Sequence, residues 1–283
     1  MTQAMKEISG SQVIDLVEKL CIAANCYLNN DIEQELSKRF DSEESPLGKN
    51  VIQTILENAK IAREERIPIC QDTGMAVVFV ELGNDAHFSG SLEEAINEGV
   101  RRGYKKGYLR NSVVRDPIDR VNTKDNTPAV IHYSITTGDK MKITVAPKGF
   151  GSENMSALVM LTPSDGIEGI KKFIVDTVSK AGGNPCPPVI VGVGVGGTME
   201  KCALLSKKAL LRPVGSVNAD AFWRGVEEEM LEKINSLGIG PAGFGGKTTA
   251  LSVNIETFPT HIAGLPVAVN IGCHATRHAE GFL

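Results

Sequence analysis

PVIVGVGVG, residues 188–196, is the stretch on which the reading of this chain turns. Its β-branched residues mark a buried strand, and its closing glycines break the strand into a loop. An amphipathic pattern over 198–211 then predicts a helix, so the segment reads strand, loop, helix. The wider apolar run, 187–198, follows prolines and is punctuated by glycine. It falls well short of the roughly 20 apolar residues a bilayer-crossing helix needs.

Working outward, Val13, Leu16, Val17, Leu20 and Ala24 recur at helical spacing behind Ser11, a candidate N-cap. A second helix is expected over 47–65, with Val51, Ile55, Ala59 and Ala62 on one face. Ser91 with Glu94 three residues on is a capping-box signature, opening a helix to about Tyr104. Residues 75–82, MAVVFVEL, read as a buried strand. Two further strands, 129–136 and 142–147, flank Thr137-Gly138-Asp139 and predict a hairpin. A glycine-rich loop over 148–154, helices over 166–180 and 219–237, a glycine-rich loop over 238–246 and strands over 250–257 and 266–271 complete the pattern. The expectation is one mixed α/β domain over 1–283, a helical N-terminal third followed by a strand-rich core.

Composition narrows the function. The 283 residues carry 30 Lys and Arg against 34 Asp and Glu, a net charge of −4, which lacks the basic field a sequence-blind nucleic-acid binder needs. Aromatics make up 5%, too few for stacking platforms. The opening MTQAMKEISG has no basic stretch leading into an apolar one, so no secretory leader is read there and a cytoplasmic protein is expected.

The cysteines fall into two classes. Cys21 and Cys26 sit in the first helical pattern and Cys202 early in another, as small core residues do. Cys70, Cys186 and Cys273 instead lie where a periodic pattern gives way to Gly or Pro: PICQDTG (68–74), NPCPP (184–188) and NIGCHATR (270–277). Structural zinc and electron-transfer clusters usually draw on close Cys-x-x-Cys pairs. Gaps of 116 and 87 residues suggest a site gathered by the tertiary fold. Three thiolates on a four-iron cube leave one iron without a protein ligand, open as a Lewis acid to a substrate hydroxyl and carboxylate.

These strings, with KGFGSENMS (148–156), VGVGGTMEKC (193–202) and THIAGLPVAVNIGCHATRHAE (260–280), together resemble the alpha subunit of two-component class I iron–sulfur hydro-lyases, the fumarate hydratases and L(+)-tartrate dehydratases. The resemblance implies that Cys70, Cys186 and Cys273 hold an oxygen-labile [4Fe-4S] cluster. It implies a separate beta subunit in a heterotetramer, carrying the catalytic acid/base group, so no such group is assigned to this chain. Fumarate and malate, the tricarboxylic acid cycle pair, are the expected reactants, with dehydration of L-tartrate to oxaloacetate the alternative. Gln71, Asp72, Arg110, Phe150 and His261 match substrate-binding positions.

Each has an ordinary reading too. Asp72-Thr73-Gly74 is an Asx-type turn sequence. Arg110 carries a fork that meets both oxygens of a carboxylate, and is equally at home on a surface. Gly149 and Gly151 around Phe150 let successive N–H groups converge on an anion, or simply turn the chain. The family's loop often has glycine where Phe150 stands, which favours a backbone contact over a side-chain one. His261 lies in a loop, where a scaffold role is the ordinary one. His274 and His278 are expected to support the cysteine loops at most.

Two glycine motifs are decoys. GVGVGG, 192–197, has the dinucleotide spacing, but LRPVGSVN, 211–218, supplies neither the second strand nor its acidic end. GPAGFGGKT, 240–248, resembles a P-loop with one residue too many and a proline at a glycine position. A nucleotide-binding oxidoreductase and a structural-zinc partner protein are the remaining alternatives.

Overall fold

The structure, a computed structural model, describes residues 6–283; the first five, which begin the MTQAMKEISG stretch, lie outside the described residues. In chain order the elements are β1 (Lys6–Ile8), α1 (Gly10–Cys26), α2 (Asn30–Ser42), α3 (Pro46–Glu65), β2 (Met75–Gly83), β3 (Ala86–Phe88), α4 (Leu92–Lys106), β4 (Val130–Thr136) and β5 (Met141–Lys148). There follow α5 (Phe150–Glu153), β6 (Ala157–Leu161), α6 (Gly166–Ala181), β7 (Val189–Gly196), α7 (Met199–Ala209), α8 (Ala221–Asn235), β8 (Ala250–Phe258), β9 (Leu265–Gly272) and β10 (Ala279–Phe282). The mixed α/β class is as expected, with a helical first third and strands thereafter. The chain forms two compact units, one of residues through Leu28, Ala59–Phe150 and Arg277–Leu283, the other of Asn29–Asn58 and Gly151–Thr276.

In the first unit the sheet runs β10-β5-β2-β4. Ala76, Val78 and Val80 of β2 pack with Met141, Ile143 and Val145 of β5 under Val13, Val17 and Cys21 of α1 and Ile96, Val100 and Tyr104 of α4. The hairpin expected at 137–139 does not form. β4 pairs parallel with β2 and β5 antiparallel with it, so β2 lies between them. The connection instead arches over the end of β2, tied by Gly83 N–H to the Lys140 carbonyl at 2.8 Å and Asp85 N–H to the Gly138 carbonyl at 2.9 Å. A short turn signal fixes the reversal of direction, but not which strand fills the gap. β2, buried on both faces, takes a partner on each edge.

The helix ends also refine the reading. Ser9, not Ser11, caps α1, forming a reciprocal box with Gln12. Ser91 caps α4 by accepting the Glu94 N–H at 3.2 Å. Helix α2 escapes the periodicity argument, because its charged sequence buries only Ile32 and Leu36. The 148–154 loop contains one helical turn, α5.

In the second unit the sheet runs β6-β9-β7-β8, with β7 parallel to β8 and antiparallel to β9. The valine–glycine alternation of β7 explains the layering. Val189, Val191, Val193 and Val195 join the core with Ile174 and Val178 of α6 and Val226, Met230 and Ile234 of α8. The alternate positions face α7. A methyl group at Gly192 would meet the Ser206 carbonyl oxygen at 2.2 Å, and one at Gly194 the Cys202 carbonyl at 2.0 Å. The glycines are the fit of a helix backbone against a strand, the physical reason the dinucleotide motif fails here.

The P-loop-like segment has its own explanation. The Glu43 carboxylate, 2% exposed, accepts the Lys247 N–H at 3.0 Å and the Thr248 N–H at 2.8 Å, and those of Glu44 and Ser45 at 3.0 Å. The anion held by this turn is the protein's own. No helix among the described residues is long and apolar enough to cross a membrane.

Candidate active site

The cysteines divide in the structure as in the sequence. Cys21, Cys26 and Cys202 are buried; Cys70 and Cys273 are partly exposed and Cys186 is exposed, all six as free thiols. Burial pushes the Cys21 thiol up to about 12, with the nearby Glu18 charge adding to it. Burial also raises Cys26, against the pull of the Arg277 charge, and raises Cys202. These three are held as neutral thiols, whereas a metal takes the thiolate.

Cys70 opens a loop that the first unit fixes at nearly every residue. The Asn25 carbonyl, in the last turn of α1, accepts the Ile69 N–H at 2.9 Å. Arg277, 4% exposed, reaches from Asn25 Oδ1 to the Asp72 carbonyl, the latter at 2.7 Å from Nη2. Thr73, 2% exposed, accepts the Arg110 N–H at 2.9 Å and donates its hydroxyl to the Arg110 carbonyl at 3.1 Å. The buried Tyr104 hydroxyl lies 2.8 Å from the Thr73 carbonyl and 3.0 Å from that of Gly74. Gly74 itself has φ +72°, and a side chain there would strike the Lys148 backbone at 2.7 Å. The Cys70 sulfur and Gln71 stand at the free edge of this loop, 3.7 Å apart from Sγ to Oε1.

Asp72 realises its turn reading. One carboxylate oxygen accepts the Gly74 N–H at 3.0 Å and the other the Phe150 N–H at 2.9 Å. The 149–150 backbone is thereby tied to the cysteine loop, and the Phe150 amide expected to meet an anion meets the Asp72 carboxylate. The backbone of Arg110 is locked to Thr73 while its guanidinium is exposed and makes no ion pair among the described residues. The first unit thus brings Cys70, Gln71, Asp72, Arg110 and the Phe150 amide into one hydrogen-bonded assembly.

The second unit brings Cys186 and Cys273 to one end of its sheet. Cys186 precedes β7 and Cys273 follows β9, strands that pair with Ile190 opposite Gly272. Cys186 takes φ +55°, and its carbonyl accepts the His274 N–H at 3.3 Å and faces His274 Nδ1 at 3.0 Å. A carbonyl offers only lone pairs, so this contact requires the proton on Nδ1. The Cys273 carbonyl accepts the Thr276 N–H at 2.9 Å and its hydroxyl at 2.8 Å. His274 supports the loops, as expected of it.

His261 lies elsewhere. It sits between β8 and β9, beside Gly197, whose carbonyl accepts the Thr260 hydroxyl at 2.9 Å. That is the opposite end of the eight-residue β9 from Cys273, roughly 25 Å at the rise of a strand.

Asn126, fully buried, donates its side-chain amide to the same Gly74 carbonyl at 3.2 Å, and sequence reasoning misses the part that it, Asn25, Tyr104 and Arg277 play in holding the Cys70 loop. Asn25 carries a signal: an amide on the apolar face of a helix, between two core cysteines. Among the described residues no group of three or more His, Cys, Asp or Glu side chains stands together as a ligand set. The donor chemistry of Cys70, Cys186 and Cys273, unpaired thiols at loop positions outside the core, is of the kind an iron–sulfur group takes.

The fumarate hydratase (Fumerase) family profile matches residues 14–281. A Methanocaldococcus jannaschii chain provisionally named L(+)-tartrate dehydratase subunit alpha is 45% identical over 275 residues, covering 95% of this chain and 96% of that one. The L(+)-tartrate dehydratase subunit alpha of Escherichia coli K12 is 33% identical over 281 residues, covering 98% of this chain and 92% of its own. That of Shigella sonnei is similar to the same extent. From its first helix to its last strand, therefore, the chain belongs to the fumarate hydratase (Fumerase) family and is a hydro-lyase of the class I alpha-subunit type.

Proposed function

We propose that this chain is the alpha subunit of an L(+)-tartrate dehydratase, with residues 1–283 acting as one cluster-binding domain in the cytoplasm. The observation that carries the substrate is the name shared by full-length relatives at 45% and 33% identity. Fumarate hydration, the reactant pair expected from the sequence, becomes the second reading and rests on the family's own name. Cys70, Cys186 and Cys273 are the proposed ligands of a [4Fe-4S] cluster. When bound, such a cluster with an iron lacking a protein ligand supplies Lewis acidity toward a substrate oxygen.

The chain's own residues bind and orient. The free Arg110 guanidinium is suited to a substrate carboxylate as a two-point fork, on a backbone already fixed to Thr73. Gln71 projects an amide beside Cys70, able to donate to a substrate hydroxyl. Asp72 spends both oxygens on backbone N–H groups, which favours a positioning role; its remaining lone pairs still face acceptor duties. The Phe150 loop acts through its backbone. The placement of His261 supports no role in a site built on Cys186 and Cys273 of its own chain.

Dehydration removes a proton from one carbon and hydroxide from its neighbour, leaving the enol of oxaloacetate, which tautomerises. The base is assigned to a beta subunit in a heterotetramer. Holding the reacting bond in one geometry supplies much of the barrier reduction in such a step. The test is anaerobic co-purification with the beta chain and assay on L-tartrate, fumarate and malate. Oxaloacetate from L-tartrate is expected, with slow or no turnover by this chain alone. Fast fumarate–malate interconversion with tartrate inert would overturn the substrate assignment, and full activity of the single chain would overturn the division of labour.

A further inference from the structure

Helix α4 stops in a Schellman arrangement. The Leu109 N–H reaches back to the Tyr104 carbonyl at 2.9 Å and the Tyr108 N–H to that of Lys105 at 3.4 Å. Such a stop needs a left-handed residue just past the helix, and glycine is its usual occupant because a β-carbon crowds the backbone there. This chain has its glycine one position too early. Gly107 takes φ −82°, and Tyr108 carries the left-handed turn at φ +52°. Among the described residues Tyr108 is the only aromatic one with a positive φ. A bulky side chain in that region is a strained choice where glycine would serve the helix end better.

Nothing within the chain offsets that strain. The Tyr108 ring is 92% exposed, so it fills no core, and its hydroxyl has no hydrogen-bond partner among the described residues. Its neighbours are held firmly. Leu109 is buried at 6% exposure, and Arg110 is fixed to Thr73 through both its N–H, at 2.9 Å, and its carbonyl, at 3.1 Å. With Leu109 turned inward, Tyr108 and Arg110 are both exposed on either side of it, on a backbone bonded at all three residues. A free phenol and a free guanidinium thus stand two residues apart, on a segment tied to the loop of Gln71 and Asp72. Strain retained for one outward side chain beside a binding group is the pattern of a functional position.

We propose that Tyr108 is a further substrate-binding residue, its phenol O–H donating to the same substrate carboxylate that Arg110 takes. It deepens the reading of Arg110 above and rests on it. A carboxylate offers about four lone-pair sites on its two oxygens. The guanidinium fork fills two of them and cancels the single charge. The sites left over call for a donor without charge, since a second cation would leave the cluster positive. A phenol is such a donor, and its rigid ring has only two torsions to order on binding. Glycine at this position would relieve the backbone and supply no donor; phenylalanine would keep the ring and supply none either.

The experiment uses the two-chain enzyme, prepared anaerobically, with whichever of L-tartrate, fumarate and malate it turns over. Tyr108→Phe should raise KM roughly tenfold or more with kcat within about threefold, the signature of binding lost alike from ground and transition states. Combined with Arg110→Lys, its effect should fall short of the product of the two single effects, because both groups hold one carboxylate. Tyr108→Gly should show the same raised KM yet melt at or above the wild-type temperature. Tyr133→Phe, on the edge strand β4, should match wild type throughout. A KM within about twofold of wild type in Tyr108→Phe overturns the proposal. So does a normal Tyr108→Phe enzyme whose Tyr108→Gly counterpart releases the second chain, which assigns the ring to the subunit contact. Melting of Tyr108→Gly well below wild type overturns it as well, because the ring then serves the fold. An enzyme active on fumarate and inert on L-tartrate removes the substrate assignment above, while a raised KM for fumarate in Tyr108→Phe still upholds Tyr108.

Discussion

Arg277 Nη2 donates to the carbonyl oxygen of Asp72 at 2.7 Å while its Nε reaches Asn25 at 3.3 Å, so one buried guanidinium ties α1 to the loop that follows Cys70. A backbone carbonyl at such a bend has no strand or helix partner, and burial without one costs on the order of 1–3 kcal/mol. The arginine fills that need and also sets where Gln71 and Asp72 stand.

Arg277→Lys keeps the charge but loses the fork that spans both partners. The expected outcome is a drop in kcat/KM of at least tenfold in the two-chain enzyme, with a melting temperature within a few degrees of wild type. Arg277→Ala, which orphans the Asp72 carbonyl, should lose about 2–3 kcal/mol in denaturant unfolding. An unchanged kcat/KM in the lysine variant would show the loop to be held without the arginine.

The split among the cysteines gives a second prediction. Cys70→Ser, Cys186→Ser and Cys273→Ser should each abolish the broad visible absorbance of anaerobically reconstituted protein, while Cys202→Ser keeps it. In cluster-free protein near pH 8, iodoacetamide should label Cys186 well before Cys21. A thiol raised to about 12 is almost wholly protonated at that pH, and the thiolate is the reacting form. Mass spectrometry of the labelled peptides reads the order.

Glu43 gives a pH dependence. Burial alone would raise its carboxyl, but hydrogen bonds from the Thr248 hydroxyl and the Lys247, Ser45 and Thr248 amides outweigh it and lower it to about 2. A group depressed in the folded state stabilises above its ordinary range and loses that contribution as pH falls toward its folded value. Stability should therefore decline between about pH 4.5 and 2 more steeply in wild type than in Glu43→Gln. At pH 7 the glutamine variant should already be weaker by roughly 2–3 kcal/mol, from lost charge-assisted bonds. Parallel urea titrations at pH 7 and pH 3 check both signs.

Gly194→Ala tests the packing of α7 on β7. The added methyl would lie 2.0 Å from the Cys202 carbonyl oxygen, so the helix must shift. A loss of about 1–3 kcal/mol or more is expected from overpacking, with no change in any nucleotide titration. Gly225→Ala, on the outer side of α8 with open space around it, should cost nothing.

Many of the elements are legible in the sequence itself. Periodicity places α1, α3, α4, α6, α7 and α8 and the strands β2, β7, β8 and β9 to within a few residues, because each has one face to bury and its sequence repeats at the period of that face. The same logic separates core cysteines from loop cysteines: Cys21, Cys26 and Cys202 fall on buried faces and Cys186 does not. Local chemistry also marks the Asx turn at Asp72.

Long-range choices belong to the tertiary structure. That β2 lies between β4 and β5 is a matter of strand pairing, and hydrogen-bonding edges carry no mark in the sequence of the strand they will meet. That Asn25, Tyr104, Asn126 and Arg277 converge on one loop depends on residues up to 252 positions apart, whose polarity is meaningful only once the backbone groups they satisfy are buried. His261 shows the same limit from the other side: twelve residues from Cys273 in the chain, it is carried to the far end of the sheet by the extended strand between them. Sequence records which groups need partners, and burial of the folded chain decides which partners they receive.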